Sequence, residues 1–157
     1  MSRLKKILLV SGVVFLAIQF IQPAHNKSGG LLVTDVSKMV SIPDSMQVIL
    51  KNACYDCHSN NTNYPWYVHI QPMGWIMKKH IKQGKEVLNF SEFGNYSARK
   101  QLSKLTGIAN SISDDNMPLA SYKWMHKNAR LTMEEKTLII NWVQQSKDSL
   151  SAKKLNQ

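Results

Sequence analysis

The chain has 157 residues, 43% of them hydrophobic and 19% charged, a length and balance that suit one globular domain and exclude a disordered tail. Twenty Lys and Arg against ten Asp and Glu give a net charge of +10. With only two cysteines, a disulfide-stapled scaffold and any zinc site built on three or four thiolates are also excluded.

Arg3, Lys5 and Lys6 precede the apolar run Ile7 to Ile21, which is broken only by Ser11, Gly12 and Gln19. This is the charged-then-apolar order of an export signal. A processing site wants small residues at its −3 and −1 positions, and Ile21-Gln22-Pro23-Ala24-His25 offers no such pair. Residues 1–24 therefore read as an uncleaved signal anchor, with an ordinary signal peptide as the alternative. Counted from Leu4 to Pro23, with Lys5 and Lys6 snorkelling toward the headgroups, the helix would reach about 30 Å, the thickness of the hydrocarbon core. Either reading places the remainder outside the cytoplasm, as a domain facing the periplasm from an inner-membrane anchor. Residues 25–40, with Asn26-Lys27-Ser28-Gly29-Gly30, are expected to form a flexible linker.

Only helical periodicity follows. Pro43 is placed to open a helix in which Met46, Ile49, Leu50, Ala53 and Cys57 recur at spacings of three and four. A second helix is expected over Pro72 to Gln83, ended by Gly84. A third spans about Ser97 to Ile112, with Leu102, Leu105, Ile108, Ala109 and Ile112 in line. Thr132 with Glu135 forms a capping box before Leu138, Ile139, Trp142 and Val143. That pattern fades by about Ser146 and leaves 147–157 as a polar tail. No segment alternates with period two, so the predicted fold class is all-α.

The chemistry sits at Cys54-Tyr55-Asp56-Cys57-His58. In C-x-x-C-H both thiols can form thioether bonds to one haem, while the adjacent imidazole meets the iron from one side. A helical turn with two residues between the thiols keeps both within reach of one porphyrin edge. Three rivals are weaker. A thioredoxin-like dithiol belongs near a βαβ pattern, zinc would need two further ligands at a paired spacing, and a disulfide over three residues closes too small a loop to stabilise much.

Cys54 to Asn61, Tyr64-Pro65-Trp66-Tyr67, Ile70, Pro72, Trp75, Gly84, Leu88-Asn89-Phe90-Ser91-Glu92 and Met117-Pro118 resemble the bacterial haem-binding domain family, a cytochrome c-like group. Tyr122, His126, Ala129, Leu131, Glu135 and Trp142 continue the likeness, which covers about 41–146. Phe93 stands where the family usually shows Trp, and Leu119 where a second Pro often follows Met-Pro. The resemblance implies a cytochrome c-like helical domain holding one covalent haem c.

Met117 is the leading expectation for the second face of the iron. It lies 59 residues after His58 beside Pro118, a spacing similar to that of small monohaem cytochromes c, and its thioether would raise the potential. Plain core packing is the alternative for one Met among eight. His126 is the runner-up as ligand, while His69 and His80 read as structural. Of the aromatic residues, the Tyr64 to Tyr67 loop is expected to touch haem. Lys78, Lys79, Lys82 and Lys85, with Arg99, Lys100 and Lys104, form a basic surface that could steer an acidic redox partner or meet an anionic membrane. Nucleic acid is not expected, because no recognition motif accompanies the charge. The expected function is a single-electron carrier rather than an enzyme, with Cys54 and Cys57 holding haem and His58 and Met117 on the iron. An open sixth position, peroxidase-like or gas-sensing, is the alternative.

Overall fold

The computed structural model describes residues 2–155, and among them the architecture is all-α, with one isolated bridge pairing Lys27 and Asn61. In chain order the helices are α1 (Arg3–Ile18), α2 (Val36–Met39), α3 (Asp44–Ala53), α4 (Tyr55–His58), α5 (Met73–Val87), α6 (Ala98–Ser113), α7 (Ala120–Met125) and α8 (Met133–Leu155). Short 3-10 turns lie over Trp66–His69, Phe90–Asn95 and Lys127–Ala129.

The periodic stripes do what their spacing predicts. Pro43 caps α3, and Met46, Ile49 and Leu50 face inward from it. Leu105 and Ile112 of α6 meet Ile139, Trp142 and Val143 of α8 in one core with Phe90 and Phe93. Thr132 and Glu135 close the capping box, the Glu135 amide donating to Thr132 Oγ1 (3.2 Å) and the Thr132 amide to Glu135 Oε2 (2.8 Å). Trp142 donates its indole hydrogen to the Ser41 carbonyl (3.0 Å), which ties α8 to the start of α3.

Four boundaries differ from expectation, each because tertiary contacts outrank local signals. First, α1 stops at Ile18 rather than near Pro23, since Gln19 and Gln22 turn their amides onto the backbone and side chain of the Gln71 region. Its 16 residues measure about 24 Å, and among the described residues no helix is long and apolar enough to cross a membrane. Second, the segment expected as a linker is tied down at Asn26 and over 34–40, while 27–33 stay exposed. Val36 and Val40 are buried, Thr34 Oγ1 donates to the Ser91 carbonyl (2.9 Å), and the Asn26 amide donates to the Tyr64 hydroxyl (2.7 Å). Third, α5 runs past Gly84 to Val87. Gly84 is a close-approach position inside the helix, not its stop. Fourth, α8 continues beyond Ser146 to Leu155, because Ser146 is buried and Leu150 packs on the core.

Candidate functional site

Cys54 ends α3 and begins the next turn. Its amide donates to the Leu50 carbonyl (3.0 Å), and its own carbonyl accepts from the amides of Cys57 (3.2 Å) and His58 (2.9 Å). This single turn presents both thiols and the imidazole within five residues. Asp56 anchors the loop that follows, accepting from the Asn63 amide (2.9 Å) through its carboxylate and from the Thr62 hydroxyl (2.7 Å) through its carbonyl. Its other carboxylate oxygen accepts from the Tyr122 hydroxyl (2.6 Å), which fastens α7 to the motif.

Behind His58 lies a polar lattice. Asn60 accepts from Asn89 Nδ2 (2.9 Å) and donates to Glu92 (2.8 Å), while its amide donates to Ser91 Oγ (3.1 Å). Asn89 in turn accepts from the Ser91 amide (3.1 Å). These bonds hold the Leu88 to Glu92 stretch beside the motif, so that the Leu88 carbonyl lies 3.0 Å from His58 Nδ1. A carbonyl can only accept, so Nδ1 carries the hydrogen and Nε2 keeps a free lone pair. Burial lowers the proton affinity of His58 and favours that neutral ligand form.

His58 lines two adjoining cavities that share Ala53, Val87, Met117 and Pro118. The first, about 180 Å³, adds Cys57, His80, Gly84 and Tyr122; the second, about 320 Å³, adds Cys54, Leu88, Phe90 and Ile108. Apolar side chains predominate on the walls, and the two cysteines open one into each cavity. The donor set suits a haem: two thiols, a neutral imidazole and a thioether line the same pair of largely apolar cavities.

Met117 reaches the crevice through the turn after α6. The Met117 and Asn116 amides both donate to the Ser111 carbonyl (3.2 and 3.0 Å). Asp115 takes a left-handed conformation (φ 55°) and pairs with Lys123 (3.4 Å) and Lys136 (3.0 Å). All four residues read as binding candidates from the sequence, Cys54, Cys57, His58 and Met117, are thus drawn to one place.

Both thiols keep their protons at neutral pH. Burial pushes Cys54 up to about 12 and Cys57 up to about 11, the reverse of the depressed thiols that dithiol exchange uses. Both are free. Among the described residues no group of three or more His, Cys, Asp or Glu side chains is placed to hold a bare metal ion.

Other expectations redistribute. The Tyr64 to Tyr67 loop does not line the crevice; Tyr64 and Tyr67 pack with Val68, Met77 and Ile81 in a small second core. Tyr122 takes the place at the wall, a role with no signal in local sequence because it depends on α7 being pinned to Asp56. His126 stacks on Tyr122 (3.9 Å between ring centres), and its ring nitrogens meet the Tyr122 carbonyl (3.1 Å) and the Tyr67 hydroxyl (3.3 Å). Both of its nitrogens are therefore engaged. His80 lines the first cavity, and His69 is exposed.

A protein-family model described as a haem-binding domain matches residues 13–145. No curated protein and no solved structure matches the chain.

Proposed function

The chain belongs to the haem-binding domain family, and from that premise we propose that it is a monohaem c-type cytochrome that carries single electrons. Cys54 and Cys57 would hold the haem by thioether bonds, with His58 Nε2 on one face of the iron and the Met117 sulfur on the other. The observation that carries this reading is the His58 Nδ1 bond to the Leu88 carbonyl (3.0 Å), in a residue that shares both cavities with Met117. It fixes the tautomer and ring orientation that a metal-binding imidazole requires.

When bound, haem supplies reversible one-electron chemistry, and axial ligation tunes its potential over about 0.8 V. The chain's own residues bind, orient and shield. Leu88, Phe90, Ile108 and Ile112 wall the crevice with apolar groups, which disfavours extra charge on the cofactor and favours the reduced state. Exposed Arg99 and Lys100 on α6, the helix whose Lys104 lines the crevice, support an acidic redox partner. The charged-then-apolar order from Arg3 to Ile18, that of an export segment, supports a domain on the periplasmic side held to the membrane by α1 without a full crossing.

Haem staining of a denaturing gel together with the optical spectrum tests the assignment. Covalent stain should survive denaturation and vanish in Cys54→Ser with Cys57→Ser. The low-spin spectrum should carry a sulfur-to-iron charge-transfer band that is lost in Met117→Ala. A high-spin wild-type spectrum that readily takes carbon monoxide would instead mark an open sixth position and a peroxidase-like or gas-sensing protein. Two freely alkylated thiols and no added mass in mature protein would overturn both readings.

A further inference from the structure

We propose that Trp66, Ile70, Trp75 and Ile76 form a docking surface for an anionic phospholipid bilayer, to which the domain is locked by the chain emerging from α1. The proposal rests on the reading that α1 enters lipid, and adds that the folded domain lies against the same membrane in one fixed attitude.

The first observation is α1 itself. Its large apolar residues up to Leu16 are exposed on every side, from Phe15 at 48% to Leu4 at 66%, and none of the helix is buried. A helix apolar all round needs an apolar medium rather than one partner face, and its basic start suits anionic headgroups.

The second is how α1 joins the domain. A free tether would leave the junction loose, but five hydrogen bonds close it within four residues of the helix end. Gln19 accepts from the Gln71 amide (2.8 Å) and donates to the Gln71 carbonyl (3.3 Å). Gln22 accepts from the Gln71 side chain (3.0 Å) and donates to the His69 carbonyl (3.1 Å), while the Trp75 indole donates to the Ile21 carbonyl (3.0 Å). Gln71 is fully buried, so the clamp belongs to the fold. Wherever α1 goes, the stretch from His69 to Trp75 goes too.

The third is what surrounds the clamp. Trp66 is 74% exposed, Ile70 and Ile76 44%, and Trp75 36%, beside Phe20 at 89% and Ile21 at 61%. Trp75, bonded to the chain just past the end of an apolar helix, matches the aromatic belt of a membrane interface, and Trp66 adds a second exposed indole four residues before Ile70. Lys79 and Lys82 share the exposed face of α5 with Trp75, positioned for phosphate headgroups. A hydrophobic protein partner would account for the aromatic patch but not for its rigid coupling to a helix whose apolar residues are exposed on every side.

Full-length haem-loaded protein in phosphatidylcholine–phosphatidylglycerol vesicles, containing a photoreactive phospholipid with its diazirine near the acyl carbonyls, tests this. Crosslinks mapped by mass spectrometry should fall on Trp66, Ile70, Trp75 or Ile76 as well as on α1, and not on the equally exposed Trp124. Trp66→Ser, at a site too exposed to affect folding, should keep its haem stain and stay with the vesicles yet lose severalfold of the domain crosslinks. Lys79→Glu with Lys82→Glu should do the same. Retention in vesicles with crosslinks confined to α1 would overturn the docking surface while leaving the anchor standing. Failure to sediment with vesicles at all would overturn the anchor and the surface together.

Discussion

At the scale of single residues, Gly84 carries more than its local role. A Cβ there would meet the Cys57 carbonyl oxygen at 2.6 Å and its carbon at 3.1 Å, and a backbone neighbour cannot rotate away. The absence of that one carbon lets α5 lie directly on the turn that carries both thiols. Gly84→Ala should lower stability by about 1–3 kcal/mol, the usual cost of overpacking, and reduce the haem-to-protein ratio, read from urea unfolding and the Soret absorbance of purified material. An unchanged midpoint and full haem content would show that the turn can shift. The glycine is visible in the sequence and suggests a helix end; its real partner is 27 positions away in the chain, beyond any local rule.

Among the elements, the critical joint is the one that delivers Met117. Asp115, in the left-handed turn after α6, binds Lys123 of α7 and Lys136 of α8. The hydrogen bonds from Lys136 and Lys123 hold its carboxyl below its ordinary 3.8. A carboxylate with a depressed folded-state pKa adds stability above its unfolded value and loses it as pH falls through the folded value. Asp115→Asn keeps a residue that tolerates positive φ but removes the charge. Its thermal midpoint should sit slightly below wild type at neutral pH, and the gap should begin to narrow below about pH 4 and close as the pH passes below the folded value. A gap that persists in acid would assign the effect to the turn geometry rather than to the ion pairs. Helices α3, α6 and α8 were legible because their apolar residues recur at three and four. Helix α2, at four residues, and α7, at six, hold too few turns to show a period and are fixed by what they touch, Asp56 in the case of α7.

Taken whole, the molecule joins its first helix to its haem domain through packed chain, and the join has a measurable weight. Replacing residues 2–18 by a cleavable export signal leaves Gln19, Gln22 and Asn26 in place, so the domain should fold, stain for haem and unfold near the wild-type denaturant midpoint. Extending the replacement to residues 2–26 deletes the partners of Gln71, Trp75 and the Tyr64 hydroxyl. Each bond left unmade costs about 1 kcal/mol, so the longer truncation should unfold at clearly lower denaturant. Equal midpoints for the two truncations would mean that the segment contributes nothing to the fold.

The order of the residues was enough to specify the helical class, the paired thiols with their adjacent imidazole, and the chain's family likeness, because covalent spacing and helical period are local properties. Tertiary structure alone decided that 34–40 is packed, that Tyr122 rather than the Tyr64 to Tyr67 loop walls the crevice, and that Gln19 and Gln22 end the first helix by bonding to Gln71. Each of these depends on groups dozens of positions apart meeting in space. The energy of such meetings comes from burial and hydrogen bonds that no window of sequence contains.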